Sequence, residues 1–169
     1  MANFSITFHG RQAHVIDEKG RLILPSQFRD ILRCSRTPDK VFLGCYPGTK
    51  FVSVYPCERW DELSLSWKDE RRFPNTAILQ EGQRLFFSNS EQVTVDRTGR
   101  VTIPAQFRNR ASLKDEVAVI GVGEKMEIWN PADLDAHELE ISKVWGQETF
   151  LYGSRPQDSA LEEVRLPQF

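Results

Sequence analysis

Two stretches of this 169-residue chain repeat an acid, a glycine and a guanidinium at fixed spacing. Residues 17–29 read Asp-Glu-Lys-Gly-Arg-Leu-Ile-Leu-Pro-Ser-Gln-Phe-Arg, and residues 96–108 read Asp-Arg-Thr-Gly-Arg-Val-Thr-Ile-Pro-Ala-Gln-Phe-Arg. Seven of the thirteen positions are identical at an offset of 79 residues, so the motif is an internal duplication. Asp bonds the backbone two residues on and Gly accepts positive φ, so Asp-x-x-Gly is turn chemistry. Arg21 and Arg100 follow those glycines directly. Their planar forks suit a phosphate or a guanine edge. Each also stands four residues after its own carboxylate, Asp17 or Asp96, and can lock the turn by pairing with it. The two roles are compatible. Arg29 and Arg108, which close the motif, read as structural, pairing with a carboxylate or a helix C-terminus.

Other reactive side chains form no constellation. His9, His14 and Asp17 are close in sequence and Cys34 is a possible nucleophile, but G-x-S-x-G, H-E-x-x-H and P-loop patterns are absent. Duplication suits a binding surface better than a single active site, so the sequence reads as a non-enzyme. Cys34, Cys45 and Cys57 are odd in number and lack C-x-x-C spacing, which gives neither a disulfide framework nor a ready zinc site. No cofactor is expected. Gly121-Val122-Gly123 is too short for a phosphate loop and reads as a β-turn.

Several elements must position the motif. A short strand leads in (His14 to Ile16, or Val93 to Val95), and a second follows the turn (Arg21 to Leu24, or Arg100 to Ile103). Pro25 and Pro104 then open short helices over Ser26–Arg33 and Ala105–Ala111. Two further strands follow in each copy, around Val41–Leu43 and Val52–Tyr55, and around Val117–Val119 and Met126–Trp129. A helix follows Pro56 and Pro131. Trp60, Leu63 and Trp67 form one apolar stripe, and Leu134, His137, Ile141, Val144 and Trp145 another. Phe28, Phe107, Trp60, Trp67, Trp129 and Trp145 read as fold residues. Residues 68–83 bridge the copies as a helix broken near Pro74. Phe86 to Ser90 reads as the lead-in to the second copy's strand. The resulting organisation is a first repeat over 1–80, a second over 81–152 and a mobile tail over 153–169. A single copy buries little core, so the expected body is α+β with two intertwined halves.

Charge is partitioned along the chain. Residues 1–36 hold six Lys/Arg against three Asp/Glu, and residues 84–114 six against two. Residues 115–169 hold four against twelve, which leaves the whole chain at −2. The basic segments coincide with the repeated motif, a footprint suited to a polyanion. Hydrophobic residues make up 40%, enough for a core, and no apolar run reaches the length of a membrane helix. The first residues lack a basic region and a long apolar stretch, so a reduced, soluble, intracellular protein is expected.

With Phe8-His9-Gly10, the two D-x-x-G-R-h-x-h-P motifs, and the closings Tyr55-Pro56 and Trp129-Asn130-Pro131, the chain closely resembles the MraZ family of bacterial transcriptional regulators. The resemblance spans roughly residues 8 to 150. It implies two tandem swapped-hairpin repeats of AbrB type forming a pseudo-dimeric small β-barrel with peripheral helices. It implies double-stranded DNA as partner, upstream of the division and cell-wall gene cluster that includes the protein's own gene. It also implies a ring-shaped homo-oligomer, cytoplasmic and nucleoid-associated, with no membrane partner. A head-to-tail ring predicts short direct repeats in the operator, and a regulator seated on a promoter represses by occlusion. The DNA-binding residues carried over are Arg11, Lys19, Arg21, Arg97 and Arg100. Arg11 and His14 lie on opposite faces of a regular strand, and Arg11 is the one favoured for the DNA face. Asp17, Gly20, Pro25, Asp96, Gly99 and Pro104 are the turn and structural set. Thr98 stands where the first copy has Lys19, and Ser90 where the family commonly has Ala. An antitoxin-like interaction module or a ring scaffold of the same barrel superfamily is the alternative reading.

Overall fold

A computed structural model describes residues 7–69, 71 and 75–145. The chain divides into two compact units, Met1–Asn130 and Pro131–Phe169. The first holds β1 (Phe8–Val15), β2 (Arg21–Ile23), α1 (Ser26–Leu32), β3 (Lys40–Gly44), β4 (Phe51–Pro56), α2 (Cys57–Ser66) and α3 (Thr76–Ser88). It continues with β5 (Ser90–Thr94), β6 (Arg100–Thr102), α4 (Ala105–Arg110), β7 (Glu116–Gly123) and β8 (Met126–Trp129). The second holds α5 (Pro131–Val144). The tail read over 153–169 lies outside the described residues.

Six strands form one antiparallel sheet in the order β1-β7-β8-β4-β3-β5, and β2 and β6 form a separate two-stranded ribbon. Pairing crosses the duplication. β1 of the first copy pairs with β7 of the second, from Phe8 opposite Gly123 to Val15 opposite Glu116. β5 of the second copy pairs with β3 of the first, from Lys40 opposite Thr94 to Gly44 opposite Ser90. β2 pairs with β6, its counterpart. Among the described residues no ladder joins β1 to β5, so the sheet is open where a closed small barrel was expected. The chain leaving each edge strand turns away instead. Ile16 bridges Leu22, its amide donates to the Asp115 carbonyl at 2.8 Å, and the Val95 amide donates to the Asp39 carbonyl at 2.8 Å.

The core explains this layout. β4 is buried along its whole length, as a central strand of apolar and β-branched residues should be. Leu22, Leu24, Phe28, Val101, Ile103 and Phe107 from the two motif copies join Val41, Leu43, Val52, Val54, Val119 and Ile128 in one cluster. Alternation in β2 and β6 sends Leu22 and Val101 inward and leaves their neighbours outside. A second cluster forms around Trp60, which stacks on Phe42 at 4.4 Å and on Phe86 at 4.7 Å.

Several local expectations are revised. The lead-in strand of the first copy runs over eight residues, not three. Pro25 and Pro104 are N-caps of helices that open, as read, at Ser26 and Ala105 but close one residue early, at Leu32 and Arg110. The bridge between copies ends in a 13-residue helix, α3, that absorbs Phe86-Phe87-Ser88. The Asn75 side chain caps it by accepting from the Ile78 amide at 2.9 Å. Phe86 belongs to that helix because the Trp60 cluster takes its ring. Ser90 opens β5, and its hydroxyl donates to the Phe86 carbonyl at 2.7 Å, so the serine fits where Ala is common. Gly121, Val122 and Gly123 all lie within β7, and Gly123, at φ 80°, is its last residue before the hairpin turn. Trp145, expected as a fold residue, is exposed. No helix among the described residues is long and apolar enough to cross a membrane.

Candidate nucleic-acid interface

The two Asp-x-x-Gly-Arg turns have one geometry. The Asp17 carboxylate accepts from the Lys19 and Arg21 amides, both at 2.9 Å, and from Arg21 Nε at 2.7 Å. The Asp96 carboxylate accepts from the Thr98 amide at 2.8 Å, the Arg100 amide at 3.0 Å and Arg100 Nε at 2.8 Å. Gly20 and Gly99 close the turns at φ 77° and 81°, and each amide donates to its Asp carbonyl at 2.8 Å. The lock expected between Asp and Arg four residues apart is therefore present in both copies.

The lock aims the arginines. Arg21 faces Thr102 across the ribbon and Ile23 faces Arg100. With Leu22 and Val101 turned inward, Arg21, Ile23, Arg100 and Thr102 share the outer face. Arg21 and Arg100 are equally exposed there, at 36% of the side chain each. Because Nε is held by the carboxylate, the guanidinium plane is fixed while its terminal nitrogens remain to meet a ligand. Ile23 and Thr102 were not singled out from the sequence. Their signal was the period-two alternation of Arg-Leu-Ile-Leu and Arg-Val-Thr-Ile, which puts every other residue beside the arginine.

The remaining basic residues sit around this face. Lys19 and Arg97 are exposed on the turns, and neither side chain has a partner among the described residues. Arg11 is exposed on β1, while His14, three residues on, is half-buried. Burial and the charge of Arg29 hold the His14 imidazole below its ordinary value of 6.5, so it is neutral at pH 7. Arg29 and Arg108 correct their reading as carboxylate or helix-terminus partners. Arg29 lies against Gly99 of the other copy and donates to the Thr98 carbonyl at 3.4 Å. Arg108 lies against Gly20 and donates from Nε to the Ile103 carbonyl at 3.1 Å. Each copy's last motif residue thus buttresses the other copy's turn. The backbone repeats this exchange: the Leu24 amide donates to the Gly99 carbonyl and the Ile103 amide to the Gly20 carbonyl, both at 2.9 Å.

The exchange makes the two glycines unequal. A Cβ at Gly20 would stand 3.0 Å from the Arg108 guanidinium, a flexible group, whereas one at Gly99 would overlap Arg29 Cδ. Both positions also carry left-handed backbone strain for alanine, about 1–2 kcal/mol. Gly99→Ala is accordingly expected to destabilise more than Gly20→Ala, by about 1 kcal/mol or more. Paired urea denaturation curves measure the difference; equal losses would contradict the packing of Arg29 on that turn.

The copies also differ in their carboxylates. The Arg21 amide leads the bonds that hold Asp17 below its ordinary 3.8. Asp96 is held further down, first by the Thr98 hydroxyl, which donates at 2.6 Å and replaces the exposed Lys19 of the first copy. A lowered folded value means stability that is complete above about pH 3.8 and is lost as pH falls through the lowered values. The thermal midpoint is therefore expected to be insensitive to these groups from pH 7 to 5 and to drop below pH 4. Asp96→Asn should blunt that drop more than Asp17→Asn. A drop unchanged in both variants would place the acid sensitivity elsewhere.

With the geometry described, comparison with known proteins places the chain. Three relatives each carry the name transcriptional regulator MraZ. That of Lactiplantibacillus plantarum is 34% identical over 142 residues, covering 80% of this chain and 90% of the relative. That of Ruegeria pomeroyi is 32% identical over 149 residues, covering 83% and 87%. That of Heliobacterium modesticaldum is 37% identical over 124 residues, covering 73% and 80%. The class they define is the transcriptional regulator. Residues 86–144 also match the sequence family described as "MraZ protein, putative antitoxin-like". The chain belongs to the MraZ family.

Proposed function

We propose that the protein is a sequence-specific DNA-binding transcriptional regulator that reads double-stranded DNA with the β2–β6 ribbon. The observation that carries this reading is the placement of Arg21 and Arg100 on one exposed ribbon face, each held by its own aspartate. A two-stranded ribbon fits the B-DNA major groove, which is about 12 Å wide, and a fixed Arg fork pairs with guanine O6 and N7. Lys19, Arg97 and Arg11 supply phosphate contacts around it, which position the ribbon without reading sequence. The exchanged pairing of β1 with β7 and β3 with β5 supports two AbrB-type repeats, residues 1–80 and 81–152, that form a pseudo-dimer.

One ribbon carries too few cations for tight specific binding at cellular salt. Association of copies into a ring multiplies weak sites through effective concentration. Heterologous contacts repeat one orientation, so the operator consists of short direct repeats. Its place is the promoter of the division and cell-wall gene cluster that contains the protein's own gene, and occupancy there represses by occlusion. The test is binding to duplexes carrying one, two or four copies of the repeat mapped by footprinting. Affinity should climb steeply with copy number. Flat affinity with an intact oligomer would favour the scaffold or antitoxin-like alternative.

A further inference from the structure

Beside the turn of the second copy lies an open cleft of about 220 Å³ whose floor is apolar, from Leu32, Pro38 and Val95, and whose rim carries Arg29, Arg33, Asp39, Asp96 and Arg97. A water needs about 10–15 Å³ of such space, so the cleft has room for a tetrahedral oxyanion with part of its hydration. Its charges are unevenly compensated. Both Asp96 oxygens are already taken by the Thr98 and Arg100 donors. Arg33 pairs with Asp30 at 2.6 Å. That leaves the guanidinium groups of Arg29 and Arg97 against the one carboxylate of Asp39, an excess of positive charge.

Arg29 is also short of acceptors. Its Nε is buried with no hydrogen-bond partner among the described residues, and its Nη1 donates only to the Thr98 carbonyl at 3.4 Å. Its counterpart in the other copy, Arg108, places Nε on the Ile103 carbonyl at 3.1 Å. Arg29 thus brings to the cleft a guanidinium with one long hydrogen bond, and with Arg97 also lining it the excess positive charge calls for an anionic acceptor. We propose that this cleft is a phosphate-binding site in which Arg29 and Arg97 hold a phosphate group beside the Asp96–Arg100 turn. Two sources share that chemistry: a backbone phosphate of bound DNA and a small free phosphate compound. The DNA source rests on the ribbon reading, in which Arg97 already meets a phosphate; the free source goes beyond it, because free phosphate needs no DNA to fill the cleft.

The test uses the full chain, titrated calorimetrically with inorganic phosphate against chloride at constant ionic strength. Saturable binding is expected. Arg97→Gln, on an exposed turn position, should weaken it at least tenfold, and Asp39→Asn should tighten it several-fold by removing the opposed carboxylate. Arg29→Gln should also abolish it, but that side chain packs on Gly99, so Arg97→Gln carries the test should the other variant fail to fold. A parallel arm measures duplex affinity against salt. If the group is a DNA phosphate, Arg97→Gln lowers the slope of log affinity against log salt by about 0.9 on every sequence, and Asp39→Asn strengthens binding on every sequence. Phosphate binding with an unchanged slope assigns the site to a small phosphate compound. No saturable phosphate binding in the wild type or Asp39→Asn overturns the proposal whatever the slope does, because Arg97 on its turn lowers the slope under the ribbon reading alone. Failure of the ribbon reading is a separate result: loss of sequence preference with the phosphate titration intact.

Discussion

Arg21→Ala and Arg100→Ala are each expected to weaken binding to the operator by about tenfold to a hundredfold, the worth of a well-formed Arg–guanine pair. Together they should reduce affinity to that for scrambled duplex. The reason is geometric. Both forks lie on one ribbon face, so DNA seated on that face would meet both in the same groove. Because each arginine also locks its own turn, loss of binding alone does not separate contact from folding. Asp17→Asn makes the separation. It weakens the pairing at Arg21 Nε while leaving the guanidinium in place. It should therefore cost less in DNA affinity than Arg21→Ala, with a larger loss of sequence preference than of salt slope. Gel shifts on native and scrambled duplexes, with circular dichroism and sizing of each variant, read all of this. An Arg21→Ala, Arg100→Ala double variant that keeps its preference for the operator would remove the ribbon from recognition.

The largest effect on stability is expected at Phe28. Its ring is fully buried and meets Phe8 edge-on at 5.6 Å. Phe28→Ala should cost about 3–5 kcal/mol, the usual range for deleting a buried aromatic. That is a large part of the roughly 5–15 kcal/mol that holds a domain together. The consequence reaches the site. Phe28 sits on α1 beside Arg29, which braces the Gly99 turn, while Phe8 anchors β1 against β7 of the other copy. Phe28→Ala should thus loosen the second turn as well as the core. A Phe8→Ala, Phe28→Ala double variant should lose less than the summed singles, because the two rings share one contact. Urea denaturation gives the values; a loss below about 1 kcal/mol for Phe28→Ala would contradict its place in the core.

Much of the site was legible in the sequence because its determinants are local. Asp17 to Arg21 and Asp96 to Arg100 span one turn each, and Asp, Gly and Arg specify that turn by their own hydrogen bonds and backbone freedom. The duplication told that the turn occurs twice. The relation between the copies was not legible. Arg29 meets the Thr98 carbonyl 69 positions away, and no local pattern sets that contact. The identity of Arg29 and Arg108 in both copies was a signal, but of importance rather than of partner. Phe86 and Phe87 read as strand residues by type and are helical because Trp60, Tyr46 and Trp67 gather around the Phe86 ring. There tertiary packing overrides propensity. The open edges of the sheet were also hidden, since Ile16 and Val95 bond to loop carbonyls where the barrel would have needed each strand to find the other.

The central claim is that this ribbon face binds a particular DNA. The most direct test is the affinity of the full chain for the duplex immediately upstream of its own gene, against a scrambled duplex of the same composition, at several salt concentrations. The account predicts preferred binding to the native duplex, with a salt slope corresponding to several phosphate contacts at about 0.9 each. Equal weak binding to both duplexes, or none, would contradict it.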